Sequence, residues 1–173
     1  MRIVPLTFDP PRKAVLNGIN LDVLSPLYAD LDFAAVSASA DKIRHLFGPE
    51  NGWPDPGISF EDNKVDLERH EREFNEKSAF AYALIDPVGQ KYLGCLYLEA
   101  IKWTTEGYGR QEHFKAQAFI WVSSLHPESN VSPLIVAATA WFKQSWSLET
   151  VAWPGRVQSW QEWKALSEAP IKL

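Results

Sequence analysis

The sequence predicts an α/β protein of the α+β type, built on a central mixed, mostly antiparallel twisted sheet flanked by helices. Three observations carry this expectation. Short stretches alternate apolar and polar residues with period two, segments of helical period separate some of them, and a tight hairpin sits mid-chain, which a wholly parallel sheet would not contain. With 173 residues, 46% of them hydrophobic and 13% aromatic, a single domain (1–173) can bury a full core.

Residues 1–18 carry three prolines and little periodicity, and read as an irregular N-terminal arm, an extended segment or irregular strand on the body. In "INLDVLSPL", Ile19, Leu21 and Val23 alternate with Asn20 and Asp22, as in a half-buried strand that Pro26 stops. From Tyr28, Leu31, Ala34 and Ala35 share a helical face, and a second short helix is expected around Asp41 to Phe47. "GPENGWPDPG", with three prolines and three glycines, is a loop around Trp53, which either covers a pocket or plugs the edge of the core.

"FEDNKVDLERHEREFNEK" is expected to be a surface helix: Phe60, Leu67 and Phe74 recur every seven residues, and Glu68 with Arg72 and Glu73 with Lys77 lie four apart in the favourable order. Charge of this kind normally forms a solvated face. Asp86, Pro87, Val88 and Gly89 have the residues a type I turn prefers, between two apolar runs, and predict a hairpin. Residues 102–114 are expected to be a polar connection, and "KAQAFIWVSS" a strand.

In the next helix, Leu134, Ile135, Ala138, Trp141 and Phe142 share a face, with Ser132 as its cap and Pro133 in the first turn. "LETVAWPG" reads as a short strand, and "VQSWQEWKALSEA" as a last helix that aligns Trp160, Trp163 and Leu166.

Composition narrows the function. A net charge of −5 disfavours nucleic acid or an anionic membrane as partner. No apolar run is long enough for a transmembrane helix, and the N-terminal stretch lacks the core of a signal peptide, so a cytoplasmic protein is expected. Cys95, the single cysteine, sits in an apolar strand and fits a reducing compartment. The eight tryptophans read first as large core and interface residues. His45, His70, His113 and His126 lack metal-ligand spacing, no nucleophile elbow surrounds Ser123 and Ser124, and no P-loop or dinucleotide fingerprint is present.

The stretches "LSPLYADLDFAAVSAS", "FAYALIDPVGQKYLGCLYL" and "AFIWVSS", in this order, resemble the first strand and helix, the hairpin and the fourth strand of the GNAT superfamily of N-acyltransferases. The resemblance runs from about Ile19 to Leu166 and rests on order and strand character, with no single decisive motif. It implies transfer of an acetyl group from acetyl-CoA, as co-substrate, to an amine of a small molecule or peptide. The alternative is a non-catalytic protein of the same fold that binds a ligand or another subunit.

By the resemblance, the backbone of Ile120, Trp121, Val122 and Ser123 would pair with pantetheine. The pyrophosphate would sit on the start of the next helix, among His126, Ser129, Asn130, Val131, Ser132 and Leu134. His126, Ser129 and Val131 occupy the positions where the family has Arg or Gln, Gly, and Gly or Ala, and Pro133 removes one first-turn amide. Glu99, at the end of "CLYLEA", is the candidate base, although a glutamate at a strand end is commonly just solvated. Tyr97 shares its face and is the candidate pocket-lining phenol. The family's usual acid position holds Trp160. After the last helix only "IKL" follows in place of the family's final hairpin, so the acceptor pocket is expected to be more open or completed by a partner chain, a homodimer being one arrangement.

Overall fold

The computed structural model describes residues 2–88, 91–102, 105–124 and 131–167. Six strands form one sheet in sequential order: β1 (Lys13–Leu16), β2 (Ile19–Val23), β3 (Ala79–Ile85), β4 (Tyr92–Glu99), β5 (Ala116–Val122) and β6 (Val151–Ala152). Every neighbouring pair is antiparallel except β5 and β6, which run parallel. The sheet is therefore mixed and mostly antiparallel, as expected.

Among the described residues five α-helices flank it: α1 (Ala29–Ile43), α2 (Phe60–Asn75), α3 (Thr105–His113), α4 (Val131–Trp146) and α5 (Trp160–Ala165). Side-chain alternation on the strands sends one set of residues to each face. Leu84, Leu96, Ile120 and Val122 pack with Leu134, Ala138 and Phe142 of α4 in one core cluster. Ala83, Cys95, Tyr97, Phe119 and Trp121 pack with Val36 of α1 and Leu67 of α2 in the other. Ser59 and Asp62 cap α2 reciprocally, and Ser159 and Glu162 do the same for α5.

Four expectations are corrected. The N-terminal arm ends in a regular strand, because Asn17 and Gly18 both adopt positive φ (50° and 79°) and close a two-residue hairpin that pairs β1 with β2. The separate helix at Asp41–Phe47 is absent: α1 continues to Ile43, and the chain then turns. The polar connection at 102–114 contains α3. Finally, α4 starts at Val131, so Ser132 lies inside its first turn rather than at the cap. The hairpin at Asp86 forms as expected, closed by Asp86 N donating to Lys91 O at 3.0 Å.

Gly94 locks β4 against β5. Its φ of +143° suits glycine, and a Cβ there would stand 2.1 Å from the carbonyl oxygen of Trp121. The register between β3 and β4 shifts at the same level.

Candidate functional site

The parallel pair β5–β6 is short. It joins only Ala116 to Val151 and Gln117 to Ala152. Beyond these pairs the guanidinium of Arg156 bridges the gap, Nη2 donating to Ile120 O at 3.4 Å. A hollow of about 180 Å³ lies here, bordered by Phe119 and Trp121 of β5, by Trp160, and by the basic side chains of Lys42, Arg44, His45 and Arg156.

The proposed pantetheine edge falls on this stretch of β5. Ile120, Trp121, Val122 and Ser123 are all buried. On the β4 side the ladder pairs Ile120, Trp121 and Val122 with Leu96, Cys95 and Gly94, and Ser123 N donates to Leu93 O at 2.7 Å, while Ile120 O also takes the Arg156 bond. Ser124 is tied to α1, its amide donating to Ser39 Oγ at 2.9 Å. Of the helix-start residues, His126, Ser129 and Asn130 lie outside the described residues. Val131 is buried and Ser132 exposed, so Val131 could serve an anion only through its first-turn amide, whereas Leu134, the fourth residue of α4, spends its amide on the helix's own ladder and is corrected as an anion contact.

On the α1–α2 face of the sheet lies a larger cavity of about 610 Å³. Glu99 and Tyr97 of β4 both line it, with Gln117 and Phe119 opposite them on β5. Glu99 is partly buried rather than solvated, and its Oε1 accepts from Gln117 Nε2 at 2.6 Å. Burial is the largest influence on its carboxyl and raises its pKa, against the lowering effects of the Gln117 bond and of Lys102. Tyr97 Oη accepts from Trp121 Nε1 at 3.2 Å, and burial pushes its phenol well above the ordinary value, so it keeps its proton.

Helix α2 supplies the opposite wall, where a solvated face was expected. Asn63, Asp66, Arg69, His70 and Glu73 line the cavity. Arg69 holds two carboxylates, Nη1 at 3.1 Å from Glu73 Oε2 and Nη2 at 3.3 Å from Asp66 Oδ1. It also donates to His70 Nε2 at 3.3 Å, which requires that nitrogen to be an acceptor and places the Nδ1–H toward Glu73, 3.6 Å away. The His70 bond is the largest of the influences that lower the Glu73 carboxyl. The His70 ring lies 5.4 Å from the Tyr97 ring.

The floor is Asp32, only 3% exposed. Asn63 Nδ2 donates to its Oδ2 at 2.9 Å and Tyr92 Oη to its Oδ1 at 2.5 Å, with Cys95 Sγ 3.6 Å away. Burial raises the Asp32 pKa, and the three hydrogen bonds only partly oppose this. Burial likewise raises the Cys95 thiol well above its ordinary value, so Cys95 is a buried, unactivated thiol.

An aromatic wall closes the side. Phe47 lies 5.4, 5.2 and 5.1 Å from the rings of Trp53, Tyr97 and Phe119. Trp53 both packs on the core edge and lines the cavity, which joins the two roles considered for it. At the other end Arg110 is held on Trp163, 4.7 Å above its ring and with Nε donating to the Trp163 carbonyl at 2.9 Å. Phe119 lines both the cavity and the smaller hollow, so one side chain separates the base candidate from the splayed edge.

The α2 and α1 residues were not singled out from the sequence, yet a signal existed. The apolar stripe Phe60, Leu67, Phe74 continues through positions 63 and 70 at helical spacing, and these hold Asn and His. On α1, Asp32 and Ser39 occupy the same buried stripe as Ala35, Val36 and Ile43. A polar residue on a buried stripe must find a partner there or face a cavity.

No family model and no curated protein sequence matches the chain. Solved structures do match. The ribosomal-protein-S5-alanine acetyltransferase from Vibrio fischeri aligns with a TM-score of 0.56 at 10% identity, covering 80% of this chain and 71% of that one. An acetyltransferase from Salmonella typhimurium that modifies the N-terminal serine of ribosomal protein L7/L12 aligns at 0.55 and 13%, covering 76% and 67%. A ribosomal L7/L12 alpha-N-protein acetyltransferase in complex with coenzyme A aligns at 0.57 and 14%, also covering 76% and 67%. At such identities the likeness establishes the fold: this chain has the GNAT fold.

Proposed function

We propose that this GNAT-fold chain is an acetyl-CoA-dependent N-acetyltransferase that acts on an amine of a small molecule or peptide. The observation that carries the reading is Glu99, a carboxylate in the larger cavity with no cation bonded to it among the described residues, one side chain away from the open stretch of β5. Its raised pKa brings it closer to neutrality, where a general base works best.

In this reading pantetheine enters the gap between β5 and β6, along Ile120 to Ser123. The pyrophosphate lies at the start of α4, where the amides of Val131 and Ser132 and the side chains of His126, Ser129 and Asn130 would hold it. Glu99 takes a proton from the protonated amine, whose freed nitrogen bonds to the thioester carbonyl carbon, and later returns that proton to solvent. The C–S bond breaks, and the departing thiolate takes, through solvent, the second proton that the nitrogen sheds.

One observation favours the alternative, a ligand-binding protein of the same fold without transfer. The Arg156 side chain already reaches Ile120 O, on the edge that pantetheine would need. Release of free thiol from acetyl-CoA in the presence of a panel of amines separates the two. Thiol release that depends on the amine supports transfer, and Glu99→Gln should then lower kcat about a hundredfold while leaving KM for acetyl-CoA unchanged. No amine-dependent release with any acceptor class would leave the binding reading in its place.

A further inference from the structure

The larger cavity combines an aromatic wall with two carboxylates, Glu99 and Asp32, to which no cation among the described residues is bonded. Arg69 is shared between Asp66 and Glu73, and Arg110 is held on the carbonyl and ring of Trp163. Among the described residues Glu99 is bonded only by an amide, and Asp32 by an amide, a phenol and a thiol. Lys102 stands exposed at the rim and acts on Glu99 only at a distance. Desolvated carboxylates without a bonded cation attract one, and the faces of Phe47, Trp53 and Phe119 suit an apolar body next to the positive group. The volume of about 610 Å³ suits a small molecule held whole.

We infer that the acceptor is a small primary amine that is cationic in solution, carries an aromatic or otherwise apolar body, and has no carboxylate beside the amine. Its ammonium lies against Glu99 and its body against the Phe47–Trp53–Phe119 wall. The inference rests on the transferase reading for the fate of the amine, but the binding it describes does not require transfer. A carboxylate on the ligand would face Asp66, Glu73 and Asp32, while the cations Lys102 and Arg110 of the lining stand at the rim and on Trp163.

Calorimetric titration with 2-phenylethylamine, with and without saturating coenzyme A, tests this directly. Matched probes are 2-phenylethanol, 3-phenylpropanoate, spermidine and a tetra-alanine peptide with a free N-terminus. The amine should bind, with the alcohol and the acid about tenfold weaker or worse, the discrimination expected for one hydrogen bond to a charged group. Glu99→Gln keeps an acceptor for Gln117 and should erase the preference for amine over alcohol. Trp53→Leu, on the wall and away from the carboxylates, should weaken 2-phenylethylamine but not spermidine. Equal or tighter binding of the acid or the peptide, no binding of the amine in either condition, or an unchanged preference in both variants would overturn the assignment. Coenzyme A binding measured on the same samples distinguishes this failure from failure of the transferase reading.

Discussion

Glu99 and Gln117 face each other across the β4–β5 ladder, and the Gln117 amide donates to the Glu99 carboxylate at 2.6 Å. The pair fixes the carboxylate in the cavity without neutralising it. An amide orients, whereas a cation in its place would hold the proton affinity down.

The first prediction concerns pH. Glu99 acts as base only when deprotonated, so log kcat/KM should rise with pH until it passes the raised Glu99 pKa, then level off. His70, Glu73 and Lys102 surround it and shape this limb. Glu99→Gln should lower kcat by about a hundredfold and remove the limb. A Glu99→Gln profile that keeps the limb would assign the base elsewhere.

Asp32 gives a prediction for stability. Its folded pKa is raised, so its contribution to stability is fully present below the unfolded carboxylate value of about 4 and is lost as pH rises through the folded value. Urea midpoints between pH 4 and 8 should therefore fall less steeply with rising pH for Asp32→Asn than for the wild type. Parallel curves would show that Asp32 does not titrate in this window. Asp32→Ala strands Asn63 and Tyr92 and should cost about 1–3 kcal/mol.

Gly94→Ala tests the contact between β4 and β5. With a Cβ placed 2.1 Å from the Trp121 oxygen, the two strands must separate, at a cost of about 3 kcal/mol or more. Thermal melting should fall by roughly 10 °C, given the size of the chain. A change of under about 2 °C would mean that the strands part easily at this level.

The sheet was legible where period-two alternation met a turn signal, as at β2, at the β3–β4 hairpin and at β5. The hairpin between β1 and β2 went unread because three prolines outweighed the Asn17–Gly18 pair, although those two residues suffice to reverse the chain. That Tyr97 shares a face with Glu99 was legible from strand alternation, because both lie on one strand and both line the larger cavity. Asp32, His70 and Glu73 come from two different helices, and only tertiary packing brings them to Tyr97 and Glu99. Their sole trace in the sequence is polar residues within otherwise buried helical stripes.

The measurement that tests the central claim most directly is the melting temperature with coenzyme A and with acetyl-CoA. A ligand at a hundred times its Kd stabilises the folded state by about 2.7 kcal/mol, so a clear rise is expected at millimolar concentration. Ser129→Glu, which puts a charge where the pyrophosphate is proposed to lie, should abolish that rise. No rise in the wild-type protein with either compound would contradict the account of this chain as an acetyl-CoA-dependent enzyme.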